Sequence, residues 1–269
     1  MSSLITRFPL LSYFVLAYAF TWAIEVPMLL AARGSIDFHL PLFMETLASF
    51  GPFAAAVVVL KLDTRSKGVK QLINSLLRWR VPLFWLLMTV LSPFVVMLLA
   101  LLMTGEIDKL LSGEICRDLI VGGRFIELIL FAGLLRGLGE EPGWRGYALP
   151  VLRGRFGPLL ATLLLWPVWL CWHLPSFLMR DFQLGAWLGF TFGILAAAVW
   201  STLLYDRTRS VLMIAIWHAL INITRGMAGA ASSASFLAFA QIVTGLGVAV
   251  ILYWLFVRPG PYGREAFSD

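Results

Sequence analysis

Eight apolar stretches, each about the length of a membrane-spanning helix, are separated along the chain by short segments rich in charge, glycine or proline. A helix needs about 20 apolar residues to cross a bilayer, and an open strand cannot cross lipid with its backbone groups unpaired. The pattern therefore predicts an all-α, polytopic integral membrane protein with about eight transmembrane helices. These lie near residues 9–31, 41–61, 82–104, 122–141, 157–179, 184–204, 211–228 and 234–257.

The composition supports this fold class. Of the 269 residues, 60% are hydrophobic and 13% charged, and the mean hydropathy is +0.86. These values exclude a soluble enzyme and a disordered chain. The two cysteines, Cys116 and Cys171, lie far apart without a CxxC spacing, which argues against a disulfide scaffold. We expect one integral membrane domain over residues 1–269, with a motif-bearing core at about 120–228.

The net charge of +6 comes from basic residues scattered among the apolar stretches. This distribution predicts no nucleic-acid partner and is typical of topology signals. If the N-terminus is cytoplasmic, 15 of the 21 lysines and arginines fall on the cytoplasmic side, Arg136 and Arg145 among them. Six, including Arg180, fall on the other side. The positive-inside rule then predicts that both termini are cytoplasmic.

Ionisable side chains concentrate in three short motifs within or beside the apolar stretches. Such groups are costly inside a bilayer and are therefore candidates for a functional site. The motifs are GEEPGWRGY at 139–147, WLCWHLP at 169–175 and WHALIN at 217–222.

The first two motifs are related by a basic turn at 153–158, which lies midway between Glu140 and His173. Two antiparallel helices joined there would bring these side chains opposite each other. If Arg145 marks where the first helix leaves the lipid, the pair lies about 10 Å deep on the cytoplasmic side.

The third motif is expected at a similar depth. His218 follows Arg209 by nine residues, about 13 Å of helix. Asn222 lies four residues further on and therefore on the same helix face. Three separate helices can thus converge on one pocket.

The chemistry of these groups favours hydrolysis. Pro142 suits the first turn of a helix, so a break at Gly139–Glu141 could expose backbone N–H groups to a carboxylate. Arg145 is spaced to pair with Glu141, which leaves Glu140 as the freer base, able to activate a water with His173.

His218 and Asn222 carry donors suited to a developing oxyanion. Most of the tryptophans are typical of an interfacial belt. The four that adjoin the motifs are expected to wall the pocket and exclude water: Trp144, Trp169, Trp172 and Trp217.

The order of the motifs is Glu-Glu-x-x-x-Arg, then a tryptophan-flanked His, and then His-x-x-x-Asn. In this order the chain resembles the CPBP family of intramembrane proteases. This family includes the type II CAAX prenyl endopeptidases and the bacterial Abi proteins. The string EEPGWRGY resembles the bacterial branch, and the resemblance covers about 125–225. It implies peptide-bond cleavage near the cytoplasmic face of a bacterial inner membrane, in a membrane-held peptide or protein.

The same resemblance implies roles for individual residues. Glu140 and His173 would activate the water, His218 and Asn222 would form the oxyanion site, and Glu141 with Arg145 would support the pocket. Family members are described both as metalloproteases and as metal-free glutamate-dependent hydrolases. If zinc is bound, its expected ligands are Glu140, His173 and His218; otherwise no cofactor is expected.

Simpler interpretations remain for each motif. The two glutamates could form a solvated helix end, His173 could bond to carbonyls freed by Pro175, and His218 with Asn222 could join helices. Glu25 and Glu45 are interpreted as interfacial. At the level of function, the alternatives are a proton-coupled transporter and a non-catalytic scaffold or immunity protein that keeps a protease fold.

Overall fold

The computed structural model describes residues 2–37, 40–41, 43–63, 68–180 and 184–261, and His39 lies outside these ranges. Throughout them the regular structure is helical. The α-helices are α1 (Ser2–Arg7), α2 (Pro9–Ala32), α3 (Phe43–Ala48), α4 (Gly51–Leu62), α5 (Gly68–Leu76), α6 (Leu83–Thr104), α7 (Ile107–Leu111), α8 (Glu114–Val121), α9 (Arg136–Gly143), α10 (Leu149–Arg153), α11 (Pro158–Trp172), α12 (Leu174–Met179), α13 (Leu184–Thr208), α14 (Val211–Ala231) and α15 (Ser233–Val257).

Within the described residues, six helices are long and apolar enough to cross a membrane. They are Pro9–Ala32, Phe43–Leu62, Leu83–Thr104, Trp187–Thr208, Val211–Ala231 and Ser233–Val257. The predicted polytopic all-α membrane protein is thus confirmed, with the count of eight as an approximation. The other two apolar stretches are the ones that carry Glu140 and His173, and both depart from a regular spanning helix.

The helix that carries Glu140 runs from Glu127 to Arg153 and alternates between two helical types. A π-helical segment, Glu127–Leu135, leads into α9, and a second one, Trp144–Ala148, leads into α10. Pro142 lies inside α9. The predicted break at Gly139–Glu141 is therefore wrong, and no free helix N-terminus is available there. A proline lacks the N–H of a regular helical hydrogen bond, and the π-helical segment follows directly after it.

The end of this helix corrects the expected position of Arg145. The helix continues to Arg153, and Arg145 is only 1% exposed, enclosed by protein. Arg153 donates from Nε and Nη2 to the two carboxylate oxygens of Asp206, each over 3.0 Å. The basic turn after α10 and the loop after α13 therefore lie at the same end of the bundle, as the charge count predicts.

Arg136 does not lie at that end. It donates to Glu45, which also accepts a hydrogen bond from Arg180. Arg180 belongs to the opposite side in the charge count, so the grouping of Arg136 with Arg153 on one side is wrong. Its position inside a helix that is longer than predicted explains the error.

The site helix packs closely between α4 and α14 because of its glycines. A Cβ at Gly137 would lie 2.5 Å from the Ala215 carbonyl oxygen in α14, and one at Gly143 would lie 2.5 Å from the Pro52 carbonyl oxygen in α4. Real Cβ atoms do not approach backbone so closely. The absence of side chains at these positions therefore lets α9 sit deep in the bundle, with its glutamates among buried neighbours.

Candidate active site

Glu140 and His173 face each other across the hairpin formed by α9–α10 and α11. The Nε2 atom of His173 lies 3.9 Å from Oε2 of Glu140. Glu140 is 2% exposed, and its Oε2 also accepts a 2.9 Å hydrogen bond from the indole Nε1 of Trp169. A separation of 3.9 Å is too long for a direct hydrogen bond and short enough for one water molecule to contact both groups.

The backbone around His173 orients its imidazole ring. The helix breaks there: the His173 N–H bonds to the Leu170 carbonyl rather than to Trp169, and α12 begins with a proline at its second position. The freed Trp169 carbonyl lies 2.8 Å from Nδ1 of His173. A carbonyl oxygen can only accept, so Nδ1 carries the proton and Nε2 presents a lone pair toward Glu140. The simpler interpretation expected a carbonyl freed by Pro175, whereas the carbonyl that His173 contacts is that of Trp169, freed by the turn at His173 itself.

Glu141 holds the second histidine. Its Oε1 atom lies 2.6 Å from Nδ1 of His218 and accepts a 3.1 Å hydrogen bond from Arg145. The carboxylate and the guanidinium are almost completely buried. The predicted Glu141–Arg145 pair is present, and its contact with His218 brings α14 to the motif on α9. A carboxylate bonded to Nδ1 fixes the ring and leaves Nε2 available for other chemistry.

Trp169 lies at the centre of this arrangement. Its indole N–H bonds to Glu140, and its ring centroid lies 5.7 Å from that of His173 and 6.1 Å from that of His218. The guanidinium carbon of Arg145 stacks over the same ring at 3.9 Å, a cation–π contact. One indole therefore contacts residues from all three predicted motifs. The sequence predicts Trp169 as a wall of the pocket but does not reveal its hydrogen bond to Glu140.

Two other predicted tryptophans also border the site. The ring of Trp172 makes an edge contact with His173 at 4.7 Å between centroids, and Trp144 packs on Trp172 at 5.9 Å. Tyr13 of α2 covers Trp144 at 5.6 Å. These buried rings form an apolar backing behind His173, as expected of residues that exclude water.

Trp217 does not lie with the site residues, and the expectation that it walls the pocket is wrong. Its ring stacks on Trp200 of α13, with centroids 6.4 Å apart. It lines a separate apolar cavity of about 520 Å³ together with residues of α6 such as Leu91 and Val95. Adjacent helical residues point about 100° apart, so the neighbour of His218 faces a different part of the bundle.

Asn222 makes a contact with the site helix that its spacing does not reveal. Its side-chain amide donates a 2.9 Å hydrogen bond to the Ala132 carbonyl in the π-helical segment. That carbonyl lies eight residues before Glu140 in the chain. The hydrogen bond joins α14 to the site helix, which is the interhelical role that the simpler interpretation assigns to Asn222.

The expected zinc ligands, Glu140, His173 and His218, do not fit a metal site in this arrangement. Among the residues that the structure describes, no group of three histidine, cysteine, aspartate or glutamate side chains is close enough to hold an ion. Glu140 and His173 supply two facing ligand atoms, which are too few for a zinc site.

Glu25 and Glu45, which the sequence analysis interprets as interfacial, have hydrogen-bond partners within the protein. Glu25 is 4% exposed and accepts a 2.9 Å hydrogen bond from the Ser176 hydroxyl. Glu45 contacts Arg136, Ser176 and Arg180, as described below. The sequence shows only that both residues are acidic and lie beside apolar stretches, which does not identify their hydrogen-bond partners.

Comparison with known proteins identifies a peptidase family that this chain is similar to. Residues 123–224 match the family described as type II CAAX prenyl endopeptidase Rce1-like. The chain is also similar to CAAX prenyl protease 2 of Methanococcus maripaludis, with 28% identity over 193 residues, covering 65% of this chain and 68% of the relative. The matched segment contains Glu140, Glu141, His173 and His218. With the motif order and the polytopic helical fold, these matches support a CPBP-family intramembrane protease.

Proposed function

We propose that this protein is an intramembrane endopeptidase in which Glu140 and His173 activate a water molecule for attack on a peptide bond. The observation that carries the proposal is the 3.9 Å separation of Glu140 Oε2 and His173 Nε2, with the lone pair of Nε2 directed to the carboxylate. Two acceptors at this separation can bind both hydrogens of one water and direct its oxygen to a carbonyl carbon. Similarity to a peptidase family supports the assignment over a transporter.

In this mechanism Glu140 is the general base. It takes one proton of the water as the water oxygen bonds to the scissile carbonyl carbon, while Nε2 of His173 accepts the other hydrogen and orients the water. Collapse of the tetrahedral intermediate breaks the C–N bond, and Glu140 returns its proton to the departing amine. The products are a carboxylic acid and an amine. The Trp169 indole keeps Glu140 directed toward His173 throughout these steps.

His218 is the proposed oxyanion partner. Its Nδ1 donates to Glu141, so Nε2 donates to the oxygen that becomes negative during attack when both ring nitrogens carry protons. The Arg145–Glu141 pair fixes the carboxylate that orients His218. In this scheme Asn222 acts on the site helix through Ala132, which would align the helix rather than contact the oxyanion.

We further propose that both termini and the Arg153–Asp206 end of the bundle face the cytoplasm, in a bacterial inner membrane. Measured from that end, His218 lies about 10 Å along α14 and Glu140 about 20 Å along α9–α10. The peptide bond would therefore be cut within the bilayer, at a depth between its cytoplasmic half and its middle. The CAAX prenyl protease relative suggests a membrane-held C-terminal segment as substrate.

Cleavage of a membrane-held peptide by purified protein in detergent or liposomes tests this proposal. Glu140→Gln should lower turnover at least about 10³-fold, since the base of the reaction is lost. Glu127→Gln, an exposed carboxylate on the same helix, is the matched control and should keep full turnover. Turnover that persists in Glu140→Gln would refute the mechanism. The same assay with a metal chelator reports separately on whether an ion is required.

A further inference from the structure

The carboxylate of Glu45 contacts residues from two segments of the chain, one that carries Glu140 and one that begins at His173. Its Oε1 atom accepts a 2.9 Å hydrogen bond from Arg136 and a 2.6 Å hydrogen bond from Arg180. The Ser176 hydroxyl lies 3.5 Å from the same oxygen. Only 12% of the Glu45 side chain is exposed.

Each contact of Glu45 is close in sequence to a catalytic group. Arg136 precedes Glu140 by four residues of α-helix, so the two side chains lie on the same face of α9. Ser176 follows His173 by three residues in α12, and Arg180 directly follows that helix. Arg180 also donates to the Ser176 carbonyl at 2.7 Å, which fixes it against α12. One carboxylate from α3 thus joins the base-bearing helix to the helix that begins at His173.

We propose that Glu45 is a positioning residue that sets the separation of Glu140 and His173. The hairpin turn at 154–157 connects α10 to α11 at one end. At the other end, the helix break at His173 interrupts the regular helix between α11 and α12. Glu45 supplies a second connection on the far side of the catalytic pair. Hydrogen bonds between oppositely charged groups are stronger and more directional than neutral ones, and their partial burial limits screening by solvent.

The consequence concerns the rate of the chemical step. A bridging water must contact two groups that are 3.9 Å apart, and a displacement of about 1 Å at such a site costs up to about 100-fold in rate. Loss of the Glu45 charge should therefore lower kcat without affecting binding of the remote parts of the substrate. A role confined to folding would instead lower the amount of active protein and leave kcat per folded molecule unchanged.

The test rests on the proposed peptidase activity and uses the full chain. Glu45→Gln should lower kcat by roughly 10- to 100-fold with KM within about twofold of wild type. Glu45→Asp keeps the charge, reaches one of the two arginines and should recover part of kcat. Glu106→Gln is the matched control, because its ion pair with Lys109 lies outside the catalytic helices. The amount of folded protein is measured by thermal unfolding for every variant.

Arg180→Gln tests the same connection even if Glu45→Gln does not fold, since Arg180 is 41% exposed. It should lower kcat in the same way, and the Glu45→Gln/Arg180→Gln double variant should lose less than the product of the two single effects. Unchanged kcat in Glu45→Gln, or independent effects in the double variant, would overturn the inference. Turnover that survives Glu140→Gln would count instead against the peptidase proposal, so the two failures are distinguishable.

Discussion

Nε2 of His173 lies 3.9 Å from Oε2 of Glu140, whereas the neighbouring Glu141 bonds to a different histidine, His218. The two adjacent glutamates therefore have separate partners: Glu140 faces His173, and Glu141 holds His218 together with Arg145. This division separates a group positioned for proton transfer from a group held in a buried ion pair. It leads to different expectations for the two carboxylates.

Replacement of each glutamate by glutamine should separate activity from stability. Glu140→Gln should abolish turnover and leave thermal unfolding nearly unchanged, because a glutamine oxygen can still accept the hydrogen bond from Trp169. Glu141→Gln should also lower the unfolding free energy by about 3–5 kcal/mol, since Arg145 would lose its buried charge partner. Turnover and unfolding temperature of the purified variants measure both effects. Equal stability of the two variants would contradict this interpretation.

Removal of the indole N–H from Trp169 should weaken the orientation of Glu140. Trp169→Phe keeps an aromatic ring but loses the 2.9 Å hydrogen bond to the carboxylate. A hydrogen bond to a charged group contributes about 1.5–3 kcal/mol, so we expect kcat to fall roughly 10- to 100-fold. Trp166→Phe is the matched control, because the buried Trp166 indole nitrogen has no hydrogen-bond partner among the residues that the structure describes. A similar loss in both variants would attribute the effect to packing.

Gly143→Ala should destabilise the contact between α9 and α4. The added Cβ would lie 2.5 Å from the backbone oxygen of Pro52, which cannot move without shifting α4. We expect a loss of about 1–3 kcal/mol in unfolding free energy, measured by thermal or denaturant unfolding in detergent. Gly189→Ala in α13 introduces the same methyl group with no described atom of a neighbouring element within 4 Å. Its unfolding temperature should equal or exceed that of wild type.

The orientation of the bundle can be measured with single cysteines in a Cys116→Ser, Cys171→Ser background. Arg155 is exposed in the turn after α10, and Leu111 is 77% exposed at the opposite end. In intact cells, a membrane-impermeant maleimide should label Leu111→Cys and leave Arg155→Cys unlabelled until the membrane is permeabilised. The reverse pattern would place both termini outside the cytoplasm.

The sequence alone determined the helical membrane fold and the approach of Glu140 to His173. Apolar length predicts helices because lipid offers no partners for an unpaired backbone, and the basic turn at 153–158 fixes which residues of the hairpin lie opposite each other. The Glu141–Arg145 pair was also predictable, since four residues of helix bring two side chains onto one face. These inferences depend on only one helix or one hairpin.

Only the tertiary structure decided which faces of separate helices meet. A residue spacing defines positions on one helix but not the rotation of that helix against its neighbours. For this reason the sequence did not reveal that His218 bonds to Glu141, that Trp217 faces another cavity, or that Glu45 joins two catalytic helices. The polar string around Pro142 likewise suggested a helix end, because polarity within one segment does not reveal that α4, α11 and α14 enclose it.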